Sequence, residues 1–80
     1  MPEFIRTISY SSKEYTDTLI NINYIGRIET NRHNPDVLEV IPVSDNTSGR
    51  SHYVFKKDLR RLLDARNQEL LEEITEKQNP

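Results

Sequence analysis

The apolar residues of this chain alternate in short runs up to residue 55 and then change to a helical period. Residues 4–10 (Phe-Ile-Arg-Thr-Ile-Ser-Tyr) put Phe4, Ile8 and Tyr10 on one parity, with Arg6 as the break, which reads as a half-buried strand. Residues 11–17 are polar and turn-like. Residues 18–22 are β-branched and alternating, with Ile20 and Ile22 pointing the same way. Asn23 and Tyr24 interrupt the alternation, and Ile25 and Ile28 follow at a spacing of three. The pattern predicts one strand, a tight turn near Asn23, and a second strand from about 25 to 30. Pro35 makes 31–36 a loop, because it removes a donor and pushes Asn34 out of the helical region. Residues 37–43 (Val-Leu-Glu-Val-Ile-Pro-Val) form the strongest strand. Its Pro42 belongs near the strand end or where its nitrogen faces outward. A polar hairpin loop, 44–51, offers Gly49 for a positive φ, and 52–55 is a short last strand.

From residue 57 the period is helical. Leu59, Leu62, Leu63, Leu70 and Ile74 make one apolar stripe, uninterrupted by Gly or Pro until Pro80. Neither Lys56 nor Lys57 is a good N-cap, while Asp58 complements the helix dipole. The expected fold is α+β: one domain over residues 1–80, with a small antiparallel β-meander of four to five strands (about 4–55) followed by one long C-terminal helix (about 57–77). Such a helix is about 30 Å long, whereas strands this short span ~17–20 Å. The half that carries Leu70, Leu71 and Ile74 therefore either frays or finds a partner.

Eighty residues give a thin core, worth roughly 3–5 kcal/mol in chains of this size. With no cysteine, disulfides and thiolate metal sites are excluded, which leaves self-association as the remaining staple. The net charge of −2 argues against a surface coated in nucleic-acid-binding charge, although a local patch can still be basic. No apolar run approaches a membrane span, and the first residues lack the basic and apolar regions of a secretory signal. A cytoplasmic protein of a bacterium or phage fits these features, and without a secretory route the sequon at Asn46 has no meaning.

Charge is segregated along the expected helix. Lys56, Lys57, Arg60, Arg61 and Arg66 dominate its first half, and Glu69, Glu72, Glu73 and Glu76 its second. That order opposes the helix dipole, so local helix stability does not explain it. In one reading, two helices from different subunits lie antiparallel, with Leu70, Leu71 and Ile74 in contact and residues such as Arg66 and Glu73 fixing direction. In another, Arg50, Lys56, Lys57, Arg60 and Arg61, with His52 nearby, form an anion or nucleic-acid patch. The plainest reading is a solvated helix with i,i+4 pairs such as Arg60–Asp64 and Glu73–Lys77.

Catalytic, metal and cofactor sites are not expected. His33, with Asp36 nearby, lies in a loop and His52 begins a strand, without ligand spacing. Ser44, Ser48 and Ser51 near His52 supply residue types but no arrangement of nucleophile, base and orienter. Tyr10, Tyr24 and Tyr53 fall in or beside strands and could line one sheet face as a stacking platform, though such residues more often close the edge of a core.

The stretch Leu19-Ile-Asn-Ile-Asn-Tyr-Ile-Gly-Arg-Ile28, with Val54-Phe55-Lys56-Lys57-Asp58-Leu59 at the strand-to-helix passage, resembles small FlbD-type domains of flagellar operons and similar bacterial proteins. It is also similar to one piece of LytTR-type DNA-binding domains. The FlbD resemblance spans roughly residues 4–63 and implies a β-meander-plus-helix fold. It carries over no catalytic or binding residue. The expectation is thus a non-enzymatic interaction protein that associates with itself and with another protein, the alternative being a nucleic-acid-associated regulator.

Overall fold

The computed structural model describes residues 3–43 and 50–76. The expected loop at 44–49, with Ser44, Ser48 and Gly49, lies outside the described residues, as does Lys77. Among the described residues, five strands form one antiparallel sheet: β1 Phe4–Ile8, β2 Tyr15–Asn21, β3 Ile25–Thr30, β4 Val37–Pro42 and β5 His52–Phe55. Their spatial order is β2-β1-β5-β4-β3, so the last strand lies in the middle and β2 and β3 are the edges.

Only a 3-10 turn, Ile22–Tyr24, connects the two edge strands. In a flat five-stranded sheet the edges stand ~19 Å apart, and the four peptide steps from Asn21 to Ile25 reach at most ~14 Å. The sheet must therefore curl at this end. Backbone bonds hold the turn on both sides: Ile22 N–H donates to the Glu3 carbonyl ahead of β1 (3.0 Å), and Val43 N–H, just after β4, donates to the Tyr24 carbonyl (2.5 Å). The Asn21 side chain accepts from Asn23 N–H at 2.9 Å and closes the turn.

The spacing of three between Ile25 and Ile28 has a matching cause. The β3–β4 register steps from Ile25↔Pro42 to Arg27↔Ile41, so Gly26 is an extra residue in β3. This bulge turns Ile25 and Ile28 to the same face, where both pack against the core. A Cβ on Gly26 would stand 3.2 Å from the Val43 side chain and 3.4 Å from the Ile41 carbonyl, so the bulge sits close against the end of β4. Pro42 pairs with Ile25 of β3, and the β4–β5 ladder runs only from Val37 to Val40, so its missing N–H interrupts nothing on that side.

The inner face carries the main core: Ile5, Leu38, Val40, Val54, Leu59 and Leu71 are buried, with Ile20, Ile22, Ile25, Ile28, Leu62 and Leu63 packed against them. β1 thus sends Ile5 and Thr7 inward. The buried Thr7 hydroxyl is paired with that of Thr16 and donates to the Thr18 carbonyl at 3.2 Å. The parity of Phe4, Ile8 and Tyr10 is as read from sequence, but it belongs to the other face. β2 begins at Tyr15, inside the segment expected to be a turn. The turn itself is shorter: Lys13, at φ 58°, donates its N–H to the Ser9 carbonyl at 2.7 Å.

The helix is not one element. It divides into α1, Lys56–Leu62, and α2, Ala65–Glu76. Leu63 is extended at φ −93°, ψ 151°. Asp64 then caps α2, its carboxylate accepting from Asn67 N–H at 2.9 Å while its carbonyl accepts from Gln68 N–H. A continuous, solvated helix would pair Asp64 with Arg60. The cap uses that carboxylate instead, and the chain turns back.

Two outcomes follow. Asp64→Ala should cost about 1 kcal/mol in urea unfolding, and Asp64→Ser much less. Lys13→Gly should stabilise by about 1 kcal/mol in the same assay, because glycine takes a positive φ without a Cβ clash.

Candidate functional site

The turn at Leu63–Asp64 brings the end of α2 beside the start of α1, and the segregated charges meet within one chain. The Glu72 carboxylate accepts from Arg60 Nε at 3.0 Å and from Lys56 Nζ at 3.3 Å. Lys56 Nζ also donates to the Thr75 hydroxyl at 2.9 Å, and that hydroxyl donates to the Leu71 carbonyl at 2.9 Å. Thr75 is buried, so each of these bonds satisfies a group removed from water. At the other end of the hairpin, the Gln68 amide donates to the Arg60 and Leu63 carbonyls, both at 3.0 Å, and covers the open C-terminus of α1. The dipole conflict is relieved in α1, which has Asp58 in its first turn and Arg60 and Arg61 in its last, and persists in α2, which opens on Arg66 and ends on Glu73 and Glu76. The Lys56 ammonium hydrogen-bonded to Glu72, with Arg60 beside it, holds that carboxyl below its ordinary value of 4.5.

Between this hairpin and the β3 side of the sheet lies an apolar groove of about 330 Å³. Ile22, Ile25 and Ile28 form one wall, and Leu59, Leu63, Leu70, Leu71 and Ile74 the other. The expected interface residues divide here. Leu71 is 3% exposed and belongs to the chain's own core, whereas Leu70 and Ile74 remain 44% and 39% exposed along the rim. Arg66 and Glu73 are exposed on the same helix.

The expected basic patch divides as well. Lys56 and Arg60 are engaged by Glu72, and Arg61 approaches Asp58 at 3.9 Å. Lys57 and Arg50 are exposed. A second depression, lined by Asp36, Phe55, Lys56, Lys57, Arg60 and Glu72, thus mixes both signs of charge.

The outer face of the sheet carries a cluster that sequence reading saw only in part. Ile8 and Val37 are buried there, and both stand in register with aromatic residues of β5, Ile8 with Tyr53 and Val37 with Phe55. Tyr10 packs on Tyr53 with ring centroids 4.8 Å apart, and Tyr15 meets Phe55 edge-to-face at 5.5 Å. The Arg6 guanidinium lies 5.3 Å from the centre of the Tyr15 ring, and Lys57 Nζ lies 5.2 Å from that of Phe55. The Tyr15 hydroxyl donates to Asp58 Oδ2 at 2.7 Å, and this bond raises the phenol above its ordinary value of 10. Tyr24 stands apart in the 3-10 turn and is exposed. The signal for Tyr15 and Phe55 was their β-propensity and parity, but their adjacency depends on pairing between distant strands.

His33 and Asp36 bond locally instead of to one another, their N–H groups donating to the Asn31 and Asn34 side chains. Among the described residues, no three His, Asp or Glu side chains gather as a metal would require, and no helix is long and apolar enough to cross a membrane. Comparison with known proteins finds no matching family model, no matching curated protein and no matching solved structure.

Glu72→Gln should lower the thermal midpoint at neutral pH. A carboxyl whose folded pKa is depressed contributes stability above its unfolded value and loses it as pH falls through the folded one. The gap between wild type and Glu72→Gln should therefore close below pH 4.5, which circular dichroism melts across the acid range would read.

Proposed function

We propose that this chain is a non-enzymatic interaction protein that pairs with a second copy of itself through the exposed side of α2, in a cytoplasmic setting. The observation that carries this reading is the pair Leu70 and Ile74, still exposed at the mouth of an aliphatic groove after the rest of the chain has folded. A helix beside such a groove is a common recognition surface for another helix.

The charges on α2 favour a copy of the same chain. Arg66 precedes Leu70 by one turn, and Glu73 follows it by nearly one. In a two-fold antiparallel pairing whose axis passes between Glu69 and Leu70, Arg66 of each chain falls opposite Glu73 of the other, so the surface is self-complementary. The parallel arrangement would bring like charges together. Leu71 supports this helix from below. A nucleic-acid patch that needs Lys56 and Arg60 has less support, because both hold Glu72.

The test is the mass of the full chain in solution by light scattering on a sizing column. Wild type should run at twice 9.4 kDa, and Leu70→Glu with Ile74→Glu should return it to 9.4 kDa with an unchanged circular dichroism spectrum. Arg66→Glu should weaken the pairing and adding Glu73→Arg should restore it. A wild-type chain that stays monomeric at every concentration overturns the reading. Point changes suit this better than truncation of α2, which would also remove Leu71 from the core.

A further inference from the structure

A second inference rests on the outer face of the sheet and does not use α2. We propose that this face binds single-stranded nucleic acid, with bases stacking on Tyr10, Tyr53 and Tyr15 and phosphates held by Arg6, Lys57 and Arg61.

The face has more aromatic surface than its own packing needs. Ile8 and Val37 are already buried beneath it, yet Tyr10 and Tyr15 remain 38% and 44% exposed. Aliphatic side chains would close such a cluster as well and leave less apolar surface in water. Ring faces, in contrast, accept bases of any sequence. Tyr53 and Phe55 lie two residues apart on β5, about 7 Å along the strand, and Tyr10 and Tyr15 flank them on the same side. The rings therefore form a row, which suits an extended strand with its bases turned out.

Charge gives the row a direction. Arg6 and Lys57 lie against the Tyr15–Phe55 end, and Arg61 is nearby across Asp58. Two carboxylates share this end: Asp58 accepts from Tyr15 and stands 3.9 Å from Arg61, and the exposed Asp17 stands 3.7 Å from Arg6, so a bound phosphate takes these two arginines over from weak surface contacts. Glu39 stands opposite Tyr53 in the β4–β5 register and disfavours phosphate there. The backbone of a bound strand is thus assigned to the Arg6–Lys57–Arg61 side and its bases to the tyrosines.

The test is fluorescence anisotropy of a short labelled oligothymidylate with the full chain, begun at about 50 mM salt. Binding should weaken as salt rises, with a log–log slope of about −2 for three phosphate contacts on a single strand. Tyr53→Leu keeps the apolar bulk and removes the stacking surface, so affinity should fall about tenfold. Tyr10→Leu, at an exposed turn position, should give the same loss and serves if the β5 change unfolds the chain. Tyr24→Leu, away from this face, should bind as wild type does. No binding by wild type, tyrosine-to-leucine variants that bind equally well, or a duplex bound as tightly as the single strand would each overturn the proposal.

Discussion

The shape of this protein depends on one short connection. Three residues join the two outermost strands of the sheet, and they span that distance only if the sheet rolls toward itself. Once rolled, the sheet has a concave side that gathers isoleucines from β2, β3 and the turn between them, and a convex side that must be covered differently. The curl also draws the open edges together at the turn end, which limits how much unpaired backbone is available to other chains there. The apolar groove begins at this point, where the turn and β3 meet the helices.

The two sides are closed by different chemistry. The concave side receives aliphatic side chains from both helices, and its helical cover is fastened by polar contacts at the margin: a carboxylate between two cations, a hydroxyl under an ammonium, an amide over two carbonyls. The convex side relies on rings over two aliphatic residues. Asp58 links the sides, because it opens α1 and receives the hydroxyl of Tyr15 from β2. The start of α1 is thereby held to an edge strand as well as to β5. The charge order that opposes a long helix is answered in part by the hairpin, where Lys56 and Arg60 of α1 meet Glu72 of α2.

The strands were largely legible. Residues 25–30, 37–42 and 52–55 announce themselves by β-branched alternation between polar or proline-containing breaks, and Ile25–Ile28 even carried the trace of the bulge. Tyr15 was missed because Tyr-Thr-Asp-Thr reads as polar until Thr7 is known to stand across from Thr16. The division of the helix was hidden because Leu62 and Leu63 continue the apolar stripe, so Asp64 looked like an ion-pair partner and not a cap. That error placed Leu71 on a free surface when the hairpin turns it inward. Leu70 and Ile74 do stay exposed, but as the rim of a groove beside α2 and not as the overhang of one long helix. The aromatic row was half visible through Tyr10 and Tyr53. Its other half, with Arg6, depends on strand order, which has no local signature.

Gly26 ties these observations to how such a chain can change over generations. As the additional residue in β3, it sets the phase in which everything on that strand meets the core. Exchanges of exposed side chains can be absorbed along the hairpin, whereas Leu38 and Val40 are fixed by their complete burial. Losing this single position would turn Ile25 away from Ile28 and pull the three-residue connection out of step with β4. Descendants of this chain are therefore free to drift in letters at exposed positions of β3 such as Arg27 and Glu29, while the count of residues between Ile22 and Ile28 is held constant.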